Sequence, residues 1–141
     1  MNRLITSSSA VVILAFAHQG LSQQPLMEPE MALYNFNELE PRTREGFAAH
    51  LVSAATIRML RAEVAAGTST THHNHPDEEM VYVVEGRIRV FSGGNEVELG
   101  AGELVVFPAY VDHHYEAIVD SMTIEVFGPG RTFGAPAGMG G

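Results

Sequence analysis

The stretch Gly67–Gly86, which reads GTSTTHHNHPDEEMVYVVEG, carries three of the seven histidines of the chain. His73 and His75 are two residues apart, and side chains at positions i and i+2 of a strand project from the same face. Both imidazoles can therefore reach one ion. Glu79 keeps the same parity beyond the break at Pro76, which allows its carboxylate to return toward the same point. The stretch predicts a metal site next to an apolar strand.

A fourth ligand is predicted from the segment Val111–Val119. Its odd positions are apolar apart from His113, whereas its even positions are mostly polar. Strand alternation therefore turns His113 toward the core and His114 toward solvent. Three imidazoles and one carboxylate suit Fe, Mn, Ni, Co or Zn, and six-coordinate geometry leaves positions open for a substrate. We expect one divalent transition metal, bound by His73, His75, Glu79 and His113.

The rest of the sequence favours an all-β domain. Short β-rich segments recur every eight to twelve residues, and this spacing predicts a sandwich or barrel. The segments are Thr56–Ala66, Met80–Val84, Arg87–Phe91, Glu96–Leu99, Glu103–Phe107, His113–Val119 and Met122–Phe127. Gly86, Gly93, Gly94 and Gly102 stand in the breaks, where tight turns require positive φ. We expect at most one short helix, near Thr43–His50.

The composition excludes several classes of chemistry. The 141 residues are enough for one domain. All eight basic residues are arginine and the chain has no cysteine, so a Schiff-base lysine, a cysteine nucleophile, a thiolate metal site and disulfides are ruled out. A net charge of −9 argues against nucleic acid or an anionic membrane surface as a partner. We expect a small-molecule substrate.

The N-terminus has the features of a secretory signal peptide. One arginine precedes the apolar run Ala10–Ala17, and no acid occurs before Glu28. Cleavage is expected after Ser22, with the small residues around Phe16 as a second option, and the run is too short to span a bilayer. An organelle transit peptide and a disordered start are the alternatives. We therefore expect a secreted or periplasmic protein, with a signal peptide over 1–22, an N-terminal arm over 23–41, a β-barrel domain over 42–133 and a disordered Gly-rich tail over 134–141.

The two histidine segments resemble the two motifs of the cupin superfamily. The residues that carry the resemblance are Gly67, His73, His75, Glu79 and Gly86 in the first motif, and Gly102, Pro108 and His113 in the second. Tyr110 and Ala117 stand where cupins usually have Gly and Asn. The resemblance covers roughly Arg58–Phe127 and implies a cupin-type double-stranded β-helix, which is a jelly-roll barrel, in a single domain with an internal metal. It also implies a homodimer, since cupins frequently dimerise.

A narrower resemblance begins at Asp120. The segment to Arg131 is similar to the closing strand of small single-domain cupins of pectin and alginate breakdown, which convert unsaturated uronates to linear keto acids. In that family an acid, a Phe and an Arg with the spacing of Glu125, Phe127 and Arg131 line the metal pocket. The family usually has Asp at the position of Glu125 and often Gln at that of Glu79. We expect Glu125 and Phe127 to share the strand face that lines the barrel.

Several functions are compatible with these residues. The resemblance implies an isomerase or lyase in which Glu125 moves a proton, Arg131 binds the substrate carboxylate and Phe127 contributes to the substrate pocket. A second hypothesis is an Fe-dependent dioxygenase with the same four ligands. A third is a cupin that binds a metal or a ligand without turnover, and a fourth is a cupin that has lost its metal. Each residue also has a plainer explanation, since Glu125 could be solvated, Phe127 simple core and Arg131 a surface charge.

Overall fold

A computed structural model describes residues 31–130 of the chain. Backbone contacts divide the chain into Met1–Ala32 and Leu33–Gly141, and every element given below belongs to the second unit. The predicted signal peptide, most of the predicted arm, Arg131 and the predicted Gly-rich tail lie outside the described residues. Within 31–130, no helix is long and apolar enough to cross a membrane.

The described part of the chain is built almost entirely of strands, which confirms the predicted all-β class. A short 3₁₀ helix spans Phe36–Glu38 and is capped by the side chain of Asn35, which accepts a hydrogen bond from the amide of Asn37. The strands are β1 (Arg42–Arg44), β2 (Phe47–Ser53), β3 (Arg58–Val64), β4 (Glu79–Glu85), β5 (Arg87–Ser92), β6 (Asn95–Gly100), β7 (Leu104–Phe107), β8 (His113–Ala117) and β9 (Ser121–Phe127). Each predicted strand segment overlaps one of β3 to β9.

Two antiparallel sheets form the jelly roll. The larger sheet has the strand order β1-β2-β3-β9-β4-β7 and the smaller sheet the order β6-β5-β8. Side chains from both sheets form one hydrophobic core, and Val81 and Val83 of β4 belong to the same buried cluster as Ile88 and Val90 of β5. Burying a side chain of this kind stabilises the fold by about 1.5–3 kcal/mol. The sheets thus enclose a barrel interior, and the inward positions of β4, β8 and β9 line it.

The predicted short helix near Thr43–His50 is wrong. This segment forms β1 and β2, joined by a turn at Gly46, whose φ is +70°. β2 pairs with β3 along its whole length, from Phe47 opposite Val64 to Ser53 opposite Arg58. The neighbouring strand satisfies the backbone of β2, so tertiary pairing overrides local helix propensity.

The predicted turn glycines occupy the conformations expected of them. Gly86, Gly93, Gly94 and Gly102 all have positive φ. Gly86 is further constrained, because a Cβ atom at this position would overlap the carbonyl oxygen of Asp120. Glycine is therefore required where the β4–β5 turn approaches the start of β9.

Candidate metal centre

Three separate stretches of chain bring the four predicted metal ligands together. His73 and His75 lie in the connection between β3 and β4, Glu79 is the first residue of β4, and His113 is the first residue of β8. One ligand atom from each lies within 4.8 Å of the others. The cluster therefore joins the two sheets, since Glu79 belongs to the larger sheet and His113 to the smaller one.

The expectation that His73 and His75 lie on a regular strand is wrong. The connection that carries them is irregular. Its strand-like features are two isolated bridges to β8, one between Ser69 and Glu116 and one between His73 and His113. In this bridge the amide of His113 donates to the carbonyl of His73 at 2.9 Å, and the reverse bond is 3.2 Å long. The amide of Tyr110 donates to the carbonyl of His75 at 2.8 Å. Backbone pairing with the loop before β8 thus positions both ligands.

The rings of His73 and His113 are oriented by the same local contact. Nδ1 of His73 lies 2.7 Å from the carbonyl oxygen of Thr71, and Nδ1 of His113 lies 2.8 Å from that of Val111. A carbonyl oxygen only accepts hydrogen bonds, so in each ring the proton belongs on Nδ1. The lone pair is then on Nε2 and available to a metal. A metal-binding histidine commonly has this arrangement, in which a hydrogen bond from the other ring nitrogen orients the ring.

Glu79 supplies the anionic member of the cluster. Its side chain is 2% exposed, and its backbone pairs with Phe107 on β7 and Phe127 on β9. Its Oε2 lies 2.8 Å from Nε2 of His75 and 3.5 Å from Nε2 of His113. A carboxylate buried between two phenylalanine strand positions needs positive charge close by. The three imidazoles and Glu79 therefore fit one divalent transition metal, which would supply that charge.

Phe107 was not among the residues singled out from the sequence. Its ring stacks on His113, with ring centroids 4.2 Å apart and planes 10° from parallel. This contact fixes the ring plane of His113 from the side of β7. Phe107 is the last residue of β7 and pairs with Glu79 of β4, so the two side chains lie on the same face of the sheet. Knowledge of this strand pairing would have been needed to place Phe107 at the site.

A second carboxylate, Glu125, lies in the barrel interior. It is 2% exposed on β9 and belongs to the same inward face as Thr123 and Phe127, the face that the resemblance to the uronate-ketonising cupins favoured. The hydroxyl of Tyr115 donates to Oε1 of Glu125 at 2.9 Å and lies 3.1 Å from Oγ1 of Thr123. Burial, followed by the negative charge of Glu125, raises the pKa of Tyr115 well above its usual value. Tyr115 therefore keeps its proton and holds one oxygen of the Glu125 carboxylate.

The remaining candidate residues occupy different positions. Phe127 is buried beside the cluster, with its ring centroid 6.5 Å from that of His75. Arg131, predicted to bind the substrate carboxylate, lies outside the described residues. His114 points away from the core, where its ring stacks on Phe91 at a centroid distance of 4.5 Å and lies 3.6 Å from the tilted ring of His72. Burial, with the charge of His72, lowers the pKa of His114. His72 and His114 are thus outside the metal cluster, as expected from the sequence.

Comparisons with known proteins agree with this architecture. Residues 60–127 match the cupin domain family. The polyketide synthase CurC of Streptomyces cyaneus is 33% identical over 97 residues, which are 64% of this chain. The chain spans 63% of the length of that curated relative.

Solved structures with the same fold include two small proteins and part of a larger one. KdgF from Halomonas sp. has a TM-score of 0.67 at 24% identity, over 72% of this chain and 96% of its own. An RmlC-like cupin from Shewanella frigidimarina has a TM-score of 0.67 at 22% identity, over 72% of this chain and 94% of its own. An oxalate decarboxylase of Bacillus subtilis has a TM-score of 0.64 at 20% identity, over 73% of this chain and 31% of its own. Residues 60–127 thus match a cupin domain, and the jelly roll is the fold of these solved structures.

Proposed function

We propose that this cupin is a metal-dependent enzyme that converts a 4,5-unsaturated uronate, or a similar sugar acid, to a linear keto acid. The observation that carries the proposal is the buried carboxylate of Glu125, which shares the barrel interior with the metal ligands and is held by Tyr115. The resemblance of residues 120–131 to the uronate-ketonising cupins supports the substrate class. A buried acid next to a metal site is what proton transfer on a bound sugar requires.

The reaction is an isomerisation, so its atoms balance without a co-reactant. A proton leaves the anomeric hydroxyl, the bond between the anomeric carbon and the ring oxygen breaks, and the resulting enolate gains a proton on carbon 4 as it becomes a ketone. His73, His75, Glu79 and His113 would hold a divalent cation, which would supply Lewis-acid stabilisation of the negative charge that develops on the sugar oxygens. The carboxylate of Glu125 accepts the first proton and delivers a proton to carbon. Arg131 binds the substrate carboxylate through two parallel hydrogen bonds.

The decisive experiment compares Glu125→Gln with the wild-type protein. Both are loaded with metal and assayed by the loss of absorbance of the 4,5-double bond. Since the positioned acid/base group is lost, we expect turnover to fall by ~10²–10⁴-fold while metal content stays the same. Glu116→Gln is the matched control, because Glu116 lies on the outward face of β8. If the metal-loaded wild-type protein does not accelerate the absorbance loss over buffer, the uronate assignment fails.

Two observations favour second candidates for the same site. The three-histidine, one-glutamate donor set also fits an Fe(II) dioxygenase, and turnover that requires O₂ would select it. The relative that is 33% identical carries the name of a polyketide synthase, so a polyketide is the second substrate class to assay. Both assays use the same metal-loaded protein as the uronate assay.

We also propose that two copies of the chain form a homodimer through the outer face of the larger sheet. Apolar side chains on this face follow one another across four paired strands. In one row the paired residues are Met59, Val126, Met80 and Val106, and the next row contains Arg61, Ile124, Tyr82 and Leu104. Apolar faces that extend over several strands mark interaction sites in soluble proteins. We name these two rows the outer apolar face.

A further inference from the structure

The three histidine ligands lie in or directly after two loops whose separation must be controlled. His73 and His75 precede β4, whereas His113 follows the loop between β7 and β8. A shift of either loop changes the distances between imidazole nitrogens, and a metal site tolerates only a few tenths of an ångström. The contacts between these loops therefore decide how well the four ligands fit an ion.

One side-chain contact joins the two loops outside the cluster. Nδ2 of Asn74 donates to Oδ1 of Asp112 at 2.6 Å, and both residues are exposed. Asn74 stands between the two ligands of the first loop, and Asp112 directly precedes His113. A short hydrogen bond to a carboxylate belongs to the stronger class of such bonds. The contact thus lies beside three ligands without touching the ion position.

The loops have little regular structure to hold them in register. The segment before β4 pairs with β8 through two isolated bridges, and the one at its ligand end joins His73 to His113. At the other end, Tyr110 donates its amide to the carbonyl of His75 while its own φ is +62°, the one positive φ of a residue other than glycine in the described range. A backbone conformation of this kind persists only when surrounding contacts impose it. Both loops are therefore held together by a few specific bonds.

We propose that Asn74 and Asp112 form a clamp that sets the spacing between the imidazoles of the two loops, and so determines metal affinity and coordination geometry. They are positioning residues, since they act through the loop backbone and not on the metal or the substrate. Of the bonds that join the loops, theirs is the one that substitution can remove without changing a ligand. The inference depends on the metal centre and not on the uronate reaction.

The test measures metal binding by the full-length protein. For Asn74→Ala, we expect the Kd for Zn²⁺ to rise about tenfold, as measured by competition with a chromophoric chelator. This is the lower end of the loss of metal affinity that follows when a residue supporting the ligands is removed. Co²⁺ bound to this variant should show an altered visible d–d spectrum, because the ligand geometry changes. Thermal unfolding of the metal-free protein should be unchanged, since the bond is exposed.

Two further variants separate the clamp from other effects. The exchange Asn74→Asp with Asp112→Asn reverses donor and acceptor and keeps the net charge, so it should restore the wild-type Kd and spectrum. Asn37→Ala is the matched control, because Asn37 accepts an exposed hydrogen bond from Arg61 at 2.8 Å far from the ligand loops in sequence. It should bind metal like the wild-type protein.

Specific results would overturn the clamp. Wild-type Zn²⁺ affinity and Co²⁺ spectrum in Asn74→Ala would show that the bond does not set the ligand spacing. An exchange variant as weak as Asn74→Ala would show that the hydrogen bond is not the cause of the loss. Failure of the wild-type protein to act on the uronate would end the substrate proposal and leave the metal-binding result unaffected.

Discussion

Tyr110 is the residue at which backbone geometry and side-chain type disagree most clearly. Its φ of +62° falls in the left-handed region, which costs a residue with a side chain roughly 1–2 kcal/mol. Tyr110 is 73% exposed, so burial of this residue offsets little of that cost. The resemblance to cupins placed glycine at this position, and the observed φ gives the physical reason.

Replacing Tyr110 by glycine should therefore stabilise the protein. We expect Tyr110→Gly to raise the free energy of unfolding by about 0.5–1 kcal/mol, which is the relieved strain less the greater entropy of glycine in the unfolded chain. Urea denaturation of the metal-free protein measures the change. Tyr82→Gly is the control, since Tyr82 lies within β4, where glycine lowers stability. A loss of stability in Tyr110→Gly would refute the strain argument.

Single-residue reasoning from the sequence succeeded where one strand carries the information. Parity within β8 placed His113 inward, and the resemblance to the uronate-ketonising cupins favoured the face of β9 that carries Glu125; both residues are buried. Neither argument could assign a role to Tyr115, whose hydroxyl crosses from the smaller sheet to Glu125 on the larger one. Which positions of two sheets meet across a barrel depends on the packing of the whole domain. The local sequence pattern of one strand therefore does not show that Tyr115 lies close to Glu125.

Strands could be predicted from the sequence where apolar and polar residues alternate along them. β9 alternates strictly between buried and partly buried residues and was predicted almost to its ends. β2 has the adjacent buried residues Ala49 and His50, so its sequence lacks a two-residue period and the strand was mistaken for a helix. The loop with His73 and His75 has the parity of a strand but not its continuous pairing, because it contacts β8 through isolated bridges.

The alternation of β8 can be tested with its two adjacent histidines. His113 is buried in the metal cluster, whereas His114 faces outward between two other rings. We expect His113→Ala to lose most of the bound metal, since one of four ligands is removed, and His114→Ala to retain about one metal ion per chain. Elemental analysis of the purified, dialysed proteins measures both. Equal losses in the two variants would show that the register of β8 differs from that described.

The whole molecule raises the question of what covers the outer apolar face. Met80 is 47% exposed and Val106 45% exposed, and the two residues are paired on neighbouring strands. A flat sheet face can meet a copy of itself across a two-fold axis, because the same patch then serves both subunits. Stable interfaces of this kind bury about 800 Å² per partner. Charges introduced at the centre of the face would appear twice in such an interface, and each would be desolvated.

The homodimer therefore predicts a specific response to charge on this face. We expect the wild-type protein to have twice the mass of one chain in light scattering coupled to gel filtration, and the double variant Met80→Lys with Val106→Lys to have the mass of one chain. Val97→Lys is the matched control, since Val97 is an exposed apolar residue on β6 of the other sheet. Metal content should be the same in all three proteins, because the cluster lies on the opposite, inward side of β4. A wild-type monomer, or a dimer that persists in the double variant, would rule out this face as the interface.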